Sequence, residues 1–191
     1  MAPILGIYAS QISGHLFAPS GAYDSIATVT VGSGGTSTIT FSSIPSTYTH
    51  LQLRFFAGTN RSAPIYRDSY KVQFNSDTTG NYSNHELYGD GSSVGAGGNT
   101  SATALTGGTI GGGGFFGVSV FDILEYKNTN TYKTTRSLSG VSDNTGGYGL
   151  IDFRSGNWRS TSAITSITLT VGVATAFTEY TQAALYGIKG N

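Results

Sequence analysis

From Phe115 to Val141 the chain alternates apolar and polar positions along two stretches that flank one polar run, Lys127-Asn128-Thr129-Asn130-Thr131. Period-two alternation is the signature of a strand with one covered face, and a polar run between two such stretches marks a hairpin. The first stretch predicts an inner row of Phe116, Val118, Val120, Leu124 and Tyr126. With the turn centred on Thr129, Tyr126 falls opposite Tyr132, Val120 opposite Leu138 and Asp122 opposite Arg136. Facing side chains on paired strands lie roughly 5 Å apart, so the single acidic intruder on the inner row meets the single basic one. Asp122 and Arg136 are thus expected as a structural ion pair that reports the register. The alternative is a bulge near Phe121 that turns Asp122 out to water.

The same alternation recurs on both sides of this hairpin. Ser25 to Val31 and Thr36 to Phe41, separated by Gly32-Ser33-Gly34-Gly35, read as a further hairpin. Leu51, Leu53 and Phe55 oppose Gln52, Arg54 and Phe56, and Tyr70, Val72 and Phe74 oppose Ser69, Lys71 and Gln73. Ile167, Leu169 and Val171 keep period two, and Tyr180 to Ile188 reads as a last strand buried on both sides. Tyr148 to Phe153 reads as a strand ended by a turn at Arg154-Ser155-Gly156-Asn157. Gly89 to Gly114 is rich in glycine and predicts a surface loop, with Gly111 to Gly114 able to admit a close backbone approach. No capped helical pattern of three turns occurs. About ten short strands with glycine-rich turns predict an all-β, antiparallel sandwich of jelly-roll type.

Residues 1 to 23 break the pattern. Ile4, Leu5, Ile7, Tyr8, Ile12, Leu16 and Phe17 follow neither period and are interrupted by Gly6, Gly14, Pro19 and Gly21. This predicts an extended N-terminal arm, residues 1–23, ahead of a single sandwich domain, residues 24–191. Each large apolar side chain left in water forgoes roughly 1.5 to 3 kcal/mol, so the arm should be covered, either by its own domain or by a neighbouring subunit. These seven residues are the candidate partner contacts.

Composition narrows the function. Charged residues make up 10% of the chain and balance to zero, so net charge cannot keep the surface apart from other surfaces. Ten basic residues scattered singly form no patch for a row of phosphates, which argues against nucleic acid as a partner. Without cysteine there is no disulfide framework and no thiolate metal site. No run approaches the roughly 20 apolar residues of a membrane-spanning helix, and the start lacks the basic region of a secretion signal.

Candidate chemistry is sparse. Asn75, Asp77 and Thr79 precede Gly80, and Glu86 closes a twelve-residue run, which is the ligand order of a calcium-binding EF-hand loop. Strand-like flanks and the neutral Asn75 at the first position favour a turn braced by Asn and Asp instead. A glycosidase would need two carboxylates about 5 to 9.5 Å apart. Asp143 with Asp152, or Asp77 with Glu86, are the available pairs, and turn roles explain both. No nucleophile elbow or phosphate-cradling glycine loop is present, so no enzyme activity and no cofactor are expected.

Several segments together resemble small virion proteins of tailed bacteriophages: MAPILGIYASQISGHLF, TITFSSIPSTYTHLQLRFFA, FNSDTTGNYSNHELYGDGSS, SGNWRSTSAITSITL and the terminal ALYGIKG. The resemblance implies a β-rich, trimeric structural protein of the virion with no catalytic residues to carry over. The chain has no heptad or repeated shaft such as a fibre needs. The expectation is therefore a decoration, or cement, protein made in a host cytoplasm. It would bind the major capsid protein and its own copies on the outer capsid surface. The rival expectation is the receptor-binding tip of a tail fibre or spike, with exposed tyrosines stacking on host glycan.

Overall fold

The computed structural model describes residues 22–62, 64–143 and 149–190. The seven arm contacts lie outside these residues. Among the described residues twelve strands follow in chain order: β1 (Tyr23–Thr30), β2 (Thr38–Phe41), β3 (His50–Thr59), β4 (Arg67–Phe74), β5 (Tyr82–Gly89), β6 (Val94–Ala102), β7 (Leu105–Gly112), β8 (Gly117–Ile123), β9 (Lys133–Ser142), β10 (Gly149–Trp158), β11 (Ile167–Val171) and β12 (Gln182–Ile188).

The strands form two faces of a sandwich. The larger sheet runs β1-β12-β3-β8-β9-β10-β5-β6 and the smaller β2-β11-β4-β7, joined where the end of β3 pairs in parallel with β7 at Gly58 and Gly111. Successive strands cross from one sheet to the other, so β1-β12-β3-β8 against β2-β11-β4-β7 is the eight-stranded jelly-roll arrangement. The β5–β6 and β9–β10 hairpins then widen the larger sheet beyond β8.

Period two builds the core as the sequence predicts for β3 and β4. Leu51, Leu53, Phe55, Tyr70, Val72 and Phe74 are all buried. Phe55 meets the ring of Tyr70 edge-on at 4.9 Å and that of Phe177 at 5.6 Å. At the other end Phe74, Tyr82 and Trp158 pack together, with Phe74 and Trp158 ring centroids 5.5 Å apart. Such pairs contribute on the order of 0.5–1.5 kcal/mol beyond their buried area.

Several expectations are corrected. Ser25–Val31 and Thr36–Phe41 do not pair: β1 joins β12 in the larger sheet and β2 joins β11 in the smaller, because the jelly roll sends this connection across the sandwich. The stretch from Gly89 to Gly114 is not a surface loop but contains β6 and β7, and Leu105 and Ile110 of β7 are buried. Its glycines serve contact, since a Cβ on Gly107 would lie 2.1 Å from the Tyr70 ring and one on Gly111 would lie 2.1 Å from the Phe115 carbonyl oxygen. Nor does the chain turn at Arg154–Asn157. It continues as β10 to Trp158, paired with β9 on one side and β5 on the other.

The β8–β9 hairpin has the predicted register, with Val120 opposite Leu138 and Asp122 opposite Arg136, but its faces are reversed. Phe121 and Ile123 are buried, whereas Val118, Val120, Leu124 and Leu138 are exposed. The inner row instead carries Gly117, Ser119, Ser137 and Ser139 beside the aromatic and aliphatic side chains. The reason is proximity. β7 passes so close that a Cβ on Gly108 would lie 2.7 Å from Ser139 Oγ, and one on Gly117 would lie 3.0 Å from Ile110 Cα. Small hydroxyls fit that gap, and two of the three find partners: the Tyr70 hydroxyl lies 2.8 Å from Ser119 Oγ, and the Thr109 N–H donates to Ser139 Oγ at 2.9 Å, while the buried Ser137 Oγ has none among the described residues. Burial pushes the Tyr70 hydroxyl pKa far up, so it stays a neutral partner.

Tyr126 and Tyr132 do not face each other. Glu125 adopts a φ of 45°, which ends the strand row and redirects Tyr126 inward, where its hydroxyl donates to the Pro45 carbonyl. Tyr132 stays exposed. The turn is held from beneath by Lys133, whose buried ammonium donates to the carbonyls of Asn128 at 2.5 Å and Thr131 at 2.9 Å.

The reversed faces make unequal mutational costs. Phe121→Ala should destabilise the fold by about 3–5 kcal/mol, while the adjacent Val120→Ala should cost less than about 1 kcal/mol, read from urea unfolding midpoints.

Candidate docking face

Where the inner row of β8 and β9 is glycine and serine, at Gly117, Ser119, Ser137 and Ser139, the neighbouring Val118, Val120 and Leu138 point outward. The register places them in rows across the sheet. One row runs Gln182, Phe56, Val118, Gly140 and Ile151. The next runs Ala184, Arg54, Val120, Leu138, Phe153 and Leu87. Val118, Leu138, Ile151, Phe153 and Leu87 are each between 47% and 60% exposed. Contiguous apolar surface of this kind on a folded protein marks an interaction site.

Polar groups close the rows on one side. The third row carries Tyr186, Gln52, Asp122 and Arg136. Arg136 donates to Asp122 through Nε at 3.2 Å and Nη2 at 2.7 Å, Gln52 Nε2 donates to the other Asp122 oxygen at 2.8 Å, and Arg54 Nε donates to Gln52 Oε1 at 3.1 Å. The predicted ion pair therefore lies on the outer face as part of a ladder over three strands, and not on an inner row. Arg54 is also sandwiched by aromatic rings, 5.9 Å from the Tyr23 centroid and 5.5 Å from that of Tyr186. At the opposite margin Phe56 stacks on Phe116 at 4.7 Å. Between the margins lies an open groove of about 600 Å³ whose floor is lowered at Gly140.

The four residues of the calcium-like run serve other ends. The Asn75 side-chain oxygen accepts the N–H groups of Thr165 and Ser166, and Asp77 receives the Trp158 indole N–H at 2.7 Å together with Thr79 and Asn81. The last five residues of the run, Tyr82 to Glu86, belong to β5. Glu86 consequently sits about 13 Å along the strand from the level of Tyr82 and Trp158, at roughly 3.3 Å per residue, and pairs with Arg154. Among the described residues no three His, Asp or Glu gather as a metal site would require.

The carboxylate pairs are likewise absorbed into the frame. Asp152 is buried, bound by Arg154 Nε at 2.9 Å and by the Thr109 hydroxyl at 2.5 Å, and Asp143 is buried as well. Arg154 bridges Asp152 and Glu86, so one guanidinium bonds two carboxylates.

The sequence reading missed the docking face, although its signal was present. Phe56 in β3 and the Ile151/Phe153 pair in β10 form second apolar rows on strands whose other row is also covered.

Asp77 supplies a pH dependence. Burial by itself would raise its pKa, but the bonds from Thr79, Trp158 and Asn81 outweigh that and hold the carboxyl at about 2, against 3.8 for an ordinary aspartate. The unfolded chain therefore takes up this proton first as pH falls. Stability contributed by Asp77 is complete above pH 4 and is lost as pH approaches 2. Urea midpoints measured between these limits should fall with acidification, and Asp77→Asn should flatten part of that slope.

Neither a family model, nor a curated protein, nor a solved structure matches the chain, so the surface chemistry itself carries the functional reading.

Proposed function

We propose that the chain is a structural virion protein, a decoration or cement protein that docks on the outer surface of a phage capsid. The observation that carries this reading is the outer face of the larger sheet, where two adjoining rows of large apolar side chains stand in water across the strands from β3 to β5. A face of this breadth suits area-based attachment, in which burial at roughly 25 cal/mol per Å² is gained without any reacting group. The apolar arm adds a second adhesive element, and the low, balanced charge of the chain leaves no net repulsion to oppose close packing of copies. The major capsid protein and further copies of the chain, arranged as a trimer, are the partners this reading names. Attachment that bridges subunits stabilises the shell by mass action, since the bound form is favoured over the separated one.

A second reading draws on the aromatic side chains at loop and edge positions. Tyr132 and Tyr180 are exposed, and Tyr23 and Tyr186 flank a guanidinium. Rings so placed can stack on sugar faces, as a receptor-binding tip of a tail fibre or spike would require.

Copy number separates the readings. Quantitative labelling of purified particles should find on the order of hundreds of copies on the head, as attachment around an icosahedral shell requires, and not the few tens of a tail structure. Deleting residues 1–17 should leave a folded sandwich whose association with capsids, measured by co-sedimentation, drops at least about tenfold, equivalent to about 1.4 kcal/mol. Unchanged decoration by the truncated chain would overturn the proposal.

A further inference from the structure

A strand at the edge of a sheet exposes unpaired backbone N–H and C=O groups, and folded proteins protect such edges by shortness, charge, proline, bulges or a covering segment. Among the described residues the sheets end at β1, β2 and β6. β2 has only four residues, and β1 carries Asp24 in an ion pair with Lys189 and is broken by a bulge between Ser25 and Ala27. β6 is neither short nor charged. It runs nine residues from Val94 to Ala102 without a charged residue or a proline, and its one irregularity lies at the far end, where the register with β5 shifts between Tyr82 and Asn84.

The pairing of β5 with β10 decides which groups of β6 face outward. The Arg159 N–H donates to the Asn81 carbonyl, so odd-numbered residues of β5 bond to β10 and even-numbered ones to β6. Tyr88 and Glu86 therefore bond to Gly95 and Gly97, and the N–H and C=O groups of Val94, Ala96 and Gly98 point away from the sheet. These three positions are self-complementary. When a second β6 approaches antiparallel with Ala96 facing Ala96, Val94 of each copy meets Gly98 of the other, and about six backbone hydrogen bonds form. The inner-face side chains suit the same register. A Cβ on Gly95 would collide with the Tyr88 hydroxyl and one on Gly97 would lie 2.9 Å from Glu86 Oε1, so both side chains reach over glycine toward the edge. Gly95 then stands opposite Gly97 of the second copy at roughly 5 Å, which brings each Tyr88 hydroxyl within reach of the other copy's Glu86, whose second oxygen is held by Arg154. Sliding the strands by two residues sets two Glu86 carboxylates, or two Tyr88 rings, against each other instead.

We infer that β6 is a self-association edge: a second copy of the chain pairs its own β6 antiparallel, with a two-fold axis at Ala96, and joins the two larger sheets into one. The occupant is a second copy because the free backbone groups, the uncharged strand and the Tyr88 and Glu86 side chains all match themselves in one register. Such a contact closes. Each copy uses up its open edge, and the joined sheet ends on both sides at the protected β1. On the outer face Ala96 lies opposite Leu87, so the row of Leu138, Phe153 and Leu87 runs through Ala96 into the same residues of the second copy. The docking face of one chain thereby becomes half of a surface twice as broad.

The chain contains no cysteine, so a single introduced thiol reports the register in the full-length protein. Ala96→Cys should form a disulfide-linked dimer in a glutathione redox buffer, because the Cα atoms of a directly opposed pair lie about 5.5 Å apart. Val94→Cys, at a position 83% exposed, should stay unlinked, since four residues of strand, roughly 13 Å, separate it from its counterpart. Sedimentation equilibrium of the unsubstituted chain should show monomer passing to dimer as its concentration rises toward about 1 mM. Ala96→Pro removes an N–H that β5 does not use, so it should weaken the dimer at least about tenfold with little change in the urea midpoint. Ala96→Lys, which sets two like charges on the axis, should weaken it as much. Equal cross-linking at positions 94 and 96, a monomer at every concentration, or a trimer that both substitutions leave intact overturns the inference. Since no particle is involved, the outcome is independent of whether the protein decorates a capsid.

Discussion

The close approach of β7 to the β8–β9 hairpin is the constraint on which the remaining architecture depends. At Gly108 and Gly117 the two sheets come so near that a methyl group would crowd a hydroxyl or the backbone of the facing strand. Side chains facing that gap must be small, and two of its buried hydroxyls are bonded, Ser119 by Tyr70 and Ser139 by the Thr109 N–H, while the Ser137 hydroxyl has no partner among the described residues. The volume that aliphatic side chains would otherwise fill is absent. Val118, Val120 and Leu138 are therefore displaced to the opposite face, and an apolar exterior follows from a tightly closed interior.

That exterior is organised by register. Antiparallel pairing aligns residues from neighbouring strands into transverse rows, so a few apolar positions per strand become a continuous surface. Gln52, Asp122 and Arg136 occupy the next row, fastened through Gln52 to Arg54 in the row before, and the bonds of this ladder keep the charged groups engaged with one another. Its contribution is one of boundary more than of stability, because Arg136 is largely exposed and exposed ion pairs contribute on the order of 0–1 kcal/mol.

The few charges of the chain are spent mostly on internal fastening. Asp68 bonds the N–H groups of Val173 and Ala174 and lies near Arg61, Asp152 and Glu86 share Arg154, and Lys133 gathers turn carbonyls beneath the β8–β9 connection. Each brings two separate parts of the chain into one place. The consequence for function is a surface with little charge left to repel a partner, which matches attachment by area and shape.

Much of this was legible in the residues. The all-β class, the alternation in β3 and β4 and the pairing of Asp122 with Arg136 follow from period two and a polar turn, since both properties belong to neighbours in sequence. The calcium-like run shows where local order misleads: its oxygen-bearing residues keep the right spacing, but Tyr82 to Glu86 is drawn into β5 and carries Glu86 away. Likewise, glycine in β6 and β7 resembles loop composition because other strands fill the space of its missing side chains, Tyr88 and Glu86 of β5 beside Gly95 and Gly97 and Tyr70 of β4 beside Gly107. Alternation states which residues share a side, never which side is covered. For β8 and β9 the smaller sheet made that choice, by lying too close for anything larger than serine at Gly117, Ser119, Ser137 and Ser139 of the inner row.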